Sequence, residues 1–125
     1  MIYKNILVCV TQQKTCERLI KKAAELKDEH KGNLYVIHVI KDSWNILDNV
    51  REGEALEYLF GISKAAGANL AVLKSDEIVT TIAGYARDYK IDCIILGDSP
   101  GDHKENKFSN ELKKLLNNIE IKVIP

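Results

Sequence analysis

Short aliphatic runs alternate with longer amphipathic segments along the chain. Asn5 to Val10 (NILVCV) is a compact run of branched aliphatics, as expected of a strand buried on both faces. From Thr15 to Lys31, Cys16, Leu19, Ile20, Ala23 and Leu26 recur at helical spacing with charges between them, and Gly32 reads as the helix stop. Asn33 to Ile40 (NLYVIHVI) is a second strand, followed by the ambiguous connection KDSWNILDN. A second helix is predicted over Val50 to Ala66, ended by Gly67, and a third strand over Ala68 to Leu73. Ser75 reads as the N-cap of a third helix, with Asp76 and Glu77 in its first turn and Ile78, Ile82, Tyr85 and Tyr89 facing inward. Ile91 to Leu96, Ser109 to Asn117 and Ile119 to Ile124 complete the pattern as strand, helix and strand.

Five strands joined by four helices predict one α/β domain over residues 1–125, a doubly wound five-stranded parallel sheet with helices on both faces, Rossmann-like in the broad sense. Ligands of such sheets bind beyond the carboxyl ends of the strands, where strand order reverses. The loops of interest are therefore TQQK, KDSWNILD and GDSPGDHKENKF. Several chemistries are missing from them. No acidic pair follows the first strand and no aspartate ends the third, as a phosphorylated receiver domain requires. TQQKT has no glycine, no GxGxxG follows the first strand, and no phosphate loop of the GxxxxGK type occurs.

Composition narrows the reading further. Eighteen basic and 18 acidic residues balance, so neither nucleic acid nor an anionic membrane is expected as the main partner. MIYKNILVCV has too short an apolar run for a signal peptide, and no run approaches a membrane span; a soluble cytoplasmic protein is expected. Cys9, Cys16 and Cys93 form no disulfide framework, and Cys9 and Cys93 read as packed thiols. His38, inside an apolar strand, reads as a hydrogen-bonded core histidine, and no histidine or cysteine pair has metal-ligand spacing. Trp44 reads as an anchor of the second loop.

With the elements in this order the whole chain resembles the universal stress protein family, whose fold is that of the adenine nucleotide alpha hydrolases. KNILVCV resembles that family's opening strand, NLYVIHVI its second, GANLAVLKSDEIVTTIAGYARDYKIDCIILG its central block, and SNELKKLLNNIEIKVIP its closing helix and strand. GANLAVLKSDEI and IEIKVI are most similar in phrasing to the stress-protein module of potassium-sensing histidine kinases.

The resemblance implies an adenine-nucleotide cleft. Members that bind ATP carry a glycine, two residues, a second glycine, nine residues, then Gly-Ser or Gly-Thr, whose amides and helix N-terminus hold phosphates. Gly97 matches the first glycine; Pro100 stands where the second falls, and Gly101 follows one residue late. Phe108-Ser109 matches the Gly-Ser in a loop two residues shorter, leading into Asn110. Thr11 stands where an aspartate is usual, beside Gln12, and Val39 falls where the family's backbone recognises adenine. Thr11, Gln12, Val39, Gly97, Asp98, Gly101, Ser109 and Asn110 are thus the candidate nucleotide residues of a degenerate cleft, with ATP bound weakly or not at all. Without a ligand, Gly97 reads as a strand end needing positive φ, Ser109 as an N-cap, and Asp98, Asp102 and Glu105 as a solvated loop.

No catalytic residue or metal site is predicted: the loops offer Lys14, Lys104 and Lys107 but no arginine, and Asp98 and Asp102 lack a second ligand. The alternating strand Ile119, Ile121, Lys122, Val123, Ile124 is expected at the sheet edge as a homodimer interface, the pairing usual in the family. The functional expectation is a small, non-enzymatic regulatory or binding protein. The alternative is a sensor of cyclic di-AMP, although the serine-rich first loop and aromatic second strand of such modules are met here only by Thr11-Gln12-Gln13 and Leu34-Tyr35.

Overall fold

In the computed structural model, the residues described are 3–10, 13–40, 50–97 and 110–124. They form β1 (Asn5–Cys9), α1 (Gln13–His30), β2 (Asn33–Ile40), α2 (Val50–Ala65), β3 (Asn69–Lys74), α3 (Ile78–Asp88), β4 (Cys93–Gly97), a helical stretch at 110–115 (α4), and β5 (Glu120–Ile124). All strand pairs are parallel, in the order β3-β2-β1-β4-β5. The doubly wound sheet and the edge position of the last strand are as expected.

The central strands β1 and β4 are near-continuous aliphatic runs because both sheet faces are covered there. On one face Ile6, Val8, Leu34, Val36 and Ile95 pack with Leu19, Ile20 and Ala23 of α1 and Leu59 of α2. On the other, Leu7, Ile37, Val39, Ile94 and Leu96 pack with Ile82, Ala83 and Ala86 of α3 and with Leu112 and Leu116. Cys9 and Cys93 are buried free thiols in these two different clusters, so they do not approach as a pair. Burial pushes both thiols up, Cys93 to about 11, which keeps them protonated and unreactive at neutral pH.

Helix ends depart from the sequence reading. α1, α2 and α3 all close with an amide donating five residues back: Gly32 to Lys27, Ala68 to Ser63, and Ile91 to Ala86, at 3.0, 2.9 and 2.9 Å. The left-handed residue in these closures is glycine only once, Gly67 at φ 71; Lys31 and Lys90 each adopt φ 54. Gly32 is therefore not the left-handed stop. It is required by close approach, because a Cβ there would lie 2.6 Å from the Tyr3 carbonyl oxygen and 2.7 Å from that of Lys4. Ala68 belongs to the end of α2, which delays β3 to Asn69.

Ser75 is likewise not the cap of α3. Glu77 holds that position without a side-chain cap bond, and Ser75 Oγ accepts from the Glu77 amide at 3.0 Å in a local turn. Tyr89, expected inward, is 46% exposed because it is the C-cap, where the inward stripe has ended. Its ring stacks on Tyr85 with centroids 4.3 Å apart, and Tyr35 stands 5.3 Å from it.

Polar contacts align the amino ends of the strands. One Asp92 oxygen accepts the amides of Lys4 and Asn5 at 2.8 and 2.9 Å, while the Asp92 amide donates to Asn5 at 2.9 Å. A single carboxylate thus sets β1 against β4. Across β1, Asn33 Nδ2 donates to Asn5 Oδ1 at 3.1 Å and ties in β2.

Candidate functional site

The strand order reverses at β1: β2 and β3 lie on one side of it, β4 and β5 on the other. Such a switch point leaves a crevice at the carboxyl ends of the two strands that diverge. The registers show how it opens. β1 stops pairing with β4 at Val8↔Ile95 and with β2 at Cys9↔Ile37. β2 continues against β3 to Ile40↔Lys74, and β4 continues against β5 to Gly97↔Ile124. The central strand therefore ends short between two longer neighbours, a notch walled by the ends of β2 and β4.

Two candidate residues stand at the two walls. Val39 lies on β2 beyond the last β1 partner, with its side chain in the core and 8% of the residue exposed. Gly97 ends β4 and is half-buried. Its φ is not in the positive range, against one of the two sequence readings. The glycine is needed for space: a Cβ at 97 would meet Leu19 Cδ1 at 3.0 Å, so its absence lets α1 lie close over the end of β4. Asn110 is exposed and helical. Thr11, Gln12, Asp98, Gly101 and Ser109 lie outside the described residues, as do Trp44, Pro100 and Phe108. The structure thus brings Val39 and Gly97 to one notch and leaves the loop-borne candidates unplaced.

His38, read from sequence only as a satisfied histidine, has a specific partner at this notch. Its Nδ1 lies 2.8 Å from the carbonyl oxygen of Val10, the residue that follows β1. A carbonyl only accepts, so Nδ1 carries the proton. Hydrophobic periodicity carries no signal for this contact, because it joins a side chain to a backbone group of another strand.

Among the described residues, no group of three or more histidine, cysteine or acidic side chains is placed to hold a metal ion. No helix among them is long and apolar enough to cross a membrane.

Beyond β4, β5 forms one edge of the sheet. Ile119 and Ile121 pack against the α3-side core and Ile124 against the α1-side core; Lys122 is half-buried, and Val123 is 42% exposed. The Tyr3 hydroxyl donates to the Glu120 carboxylate, and Lys122 Nζ lies 5.3 Å from the centroid of the Tyr3 ring. That hydrogen bond, with burial of the ring, pushes the Tyr3 phenol up to about 12.

The universal stress protein family profile matches residues 2–124. No curated protein sequence matches the chain. Among solved structures, a universal stress protein from Archaeoglobus fulgidus in complex with dAMP is 21% identical, with a TM-score of 0.69 over 100% of both chains. One from Burkholderia pseudomallei is 18% identical, with a TM-score of 0.70 over 98% of this chain and 96% of that one. A universal stress protein in complex with cAMP is 13% identical, with a TM-score of 0.69 over 99% of this chain and 98% of that one. At these identities the likeness is one of fold.

Proposed function

The chain belongs to the universal stress protein family, and on that footing we propose that it is a non-enzymatic regulatory protein that binds an adenine nucleotide weakly at the β1 switch point. The observation that carries this reading is the notch itself, where β1 ends short of β2 and β4 and brings Val39 opposite Gly97. Structural neighbours in complex with dAMP and cAMP make adenine the base to test. Phosphates would be held by the 98–109 loop through Asp98, Gly101 and Ser109, with Asn110 at the start of α4 and Thr11 and Gln12 of the loop after β1 as the other candidate contacts. That loop has lost the second glycine to Pro100 and the glycine before Ser109 to Phe108, and its carboxylates repel phosphate.

The expected dissociation constant for ATP is on the order of 0.1 mM or weaker, about −5 kcal/mol. Calorimetry on the wild type and on a Phe108→Gly, Asp98→Ser double variant tests this. Several-fold tighter binding by the variant supports the reading; sub-micromolar binding by the wild type, or no gain in the variant, overturns it. Phosphate release from ATP above a protein-free control, and lost in Asp98→Ala, would overturn the non-enzymatic assignment.

The protein acts as a homodimer paired through β5, on this proposal, since an open edge strand is satisfied by its own copy about a two-fold axis. Its phrasing also resembles the stress-protein module of potassium-sensing kinases, which makes cyclic di-AMP the second ligand to test by thermal shift. One observation weighs against that ligand: the Tyr35 ring packs against Tyr85 and Tyr89, and so is no platform for a base in the notch.

A further inference from the structure

The end of β2 carries a backbone amide that the sheet leaves unused. The Val10 amide donates to the Ile37 carbonyl at 2.9 Å, so the backbone groups of Ile37 face β1. Backbone direction repeats every second residue along a strand, so the N–H and C=O of Val39 face the same way. A regular parallel ladder would close with the Val39 amide donating to the Val10 carbonyl. No such bond forms, and the Val10 carbonyl instead accepts from His38 Nδ1 at 2.8 Å. Val39 is 8% exposed. Buried backbone donors are almost always paired, and one without a partner among the described residues calls for an acceptor from elsewhere.

We propose that His38 is a positioning residue for the base of a bound adenine nucleotide: by taking the Val10 carbonyl, its imidazole holds the Val39 amide and carbonyl open toward the notch. This rests on the adenine-nucleotide reading above, in which the family resemblance puts base recognition at the Val39 backbone; what is added is the role of His38 in keeping that backbone open. An N–H beside a C=O on one strand edge complements adenine, whose N1 accepts and whose N6 amine donates. Guanine presents the reverse pair, an N1–H donor and an O6 acceptor, and leaves two groups unpaired. The donor must sit at the γ-branch of residue 38. Asparagine places Nδ2 there as histidine places Nδ1, whereas leucine has no donor. In His38→Leu the Val10 carbonyl is free, and the ladder closes onto it.

The test has two independent readouts on the wild type, His38→Leu and His38→Asn, each first shown to be folded by thermal melting. The first is nuclear magnetic resonance without nucleotide. The scalar coupling across a hydrogen bond from the Val39 amide to the Val10 carbonyl is expected to be absent in wild type and in His38→Asn, and present in His38→Leu. That coupling in the wild type, or its absence in a folded His38→Leu, overturns the positioning role whatever the nucleotide result. Should His38→Leu fail to fold, the wild-type coupling and the His38 tautomer, protonated at Nδ1, still decide it. The second readout is calorimetry with ATP and GTP. His38→Leu is expected to weaken ATP by about tenfold while His38→Asn stays near wild type, and GTP is expected to bind none of the three better than ATP. Couplings as expected but no ATP binding by the wild type would overturn the adenine assignment and leave the His38–Val10 contact standing.

Discussion

A Cβ on Gly32 would stand 2.6 Å from the carbonyl oxygen of Tyr3, so the turn from α1 into β2 passes directly against the backbone that leads into β1. The neighbouring amide reinforces the crossing, since Asn33 donates to the Lys4 carbonyl at 2.8 Å. Gly32→Ala therefore pushes backbone against backbone and is expected to destabilise the fold by about 2 kcal/mol in urea denaturation. Gly97→Ala meets only the movable end of Leu19, at 3.0 Å, and is expected to cost less than half as much. Equal losses would show that α1 is as rigid over β4 as the Tyr3 backbone is over Gly32.

Lys31 and Lys90 hold left-handed backbone that L side chains adopt at a cost. Lys90 is exposed. Lys90→Gly relieves the strain, partly offset by the entropy of glycine in the unfolded chain, and is expected to stabilise by about 0.5–1 kcal/mol. A lower urea midpoint in Lys90→Gly would count against that backbone assignment.

Ser63, on α2, is 1% exposed, and its hydroxyl has no hydrogen-bond partner among the described residues. Ser63→Ala removes an unpaired buried oxygen and leaves the backbone unchanged. A gain of about 1 kcal/mol is expected on thermal or urea unfolding. A loss would reveal a partner for that hydroxyl.

The bond to Glu120, with burial of the ring, pushes the Tyr3 phenol in the folded state from an ordinary value of 10.0 up to about 12. Because the folded value is the higher one, Tyr3 contributes fully below pH 10.0, and its contribution is lost as pH rises from there to about 12. Tyr3→Phe is expected to be less stable than wild type at neutral pH and to lose stability less steeply across that alkaline window. Parallel stability curves would show that the Tyr3–Glu120 bond does not couple to folding.

Val123 is exposed on β5, the strand proposed to pair with its copy. Val123→Lys places a charge on that edge strand without emptying the core and is expected to weaken dimerisation by at least about tenfold. Light scattering at micromolar concentration reads the outcome. A wild type that is monomeric there would remove the proposed interface altogether.

The strands were legible because a parallel strand buried on both faces is written as an unbroken aliphatic run, as in NILVCV and CIIL. Helix ends were less legible, since what decides them is a dihedral angle and not a residue type. Lysine occupies left-handed backbone at 31 and 90, while Gly32 is kept for a tertiary crossing that no local pattern reveals. At the site, resemblance located Val39 and Gly97, but the physical reason for Gly97 is the closeness of Leu19, a residue 78 positions earlier in the chain. The His38–Val10 contact is likewise tertiary, and sequence gave only the expectation that a histidine in that strand would find a partner.

The central place of β1 bears on synthesis. β1 emerges first, and its β2 side is filled once residues 33–37 are made, whereas its β4 side waits for Cys93 to Ile95. Until residues 93–95 are made, this central strand therefore keeps one naked hydrogen-bonding flank. Unpaired flanks of this kind recruit other chains, and incomplete intermediates are where such recruitment occurs. The ribosome-bound fragment, more than the finished sheet, is where this protein is expected to need a chaperone.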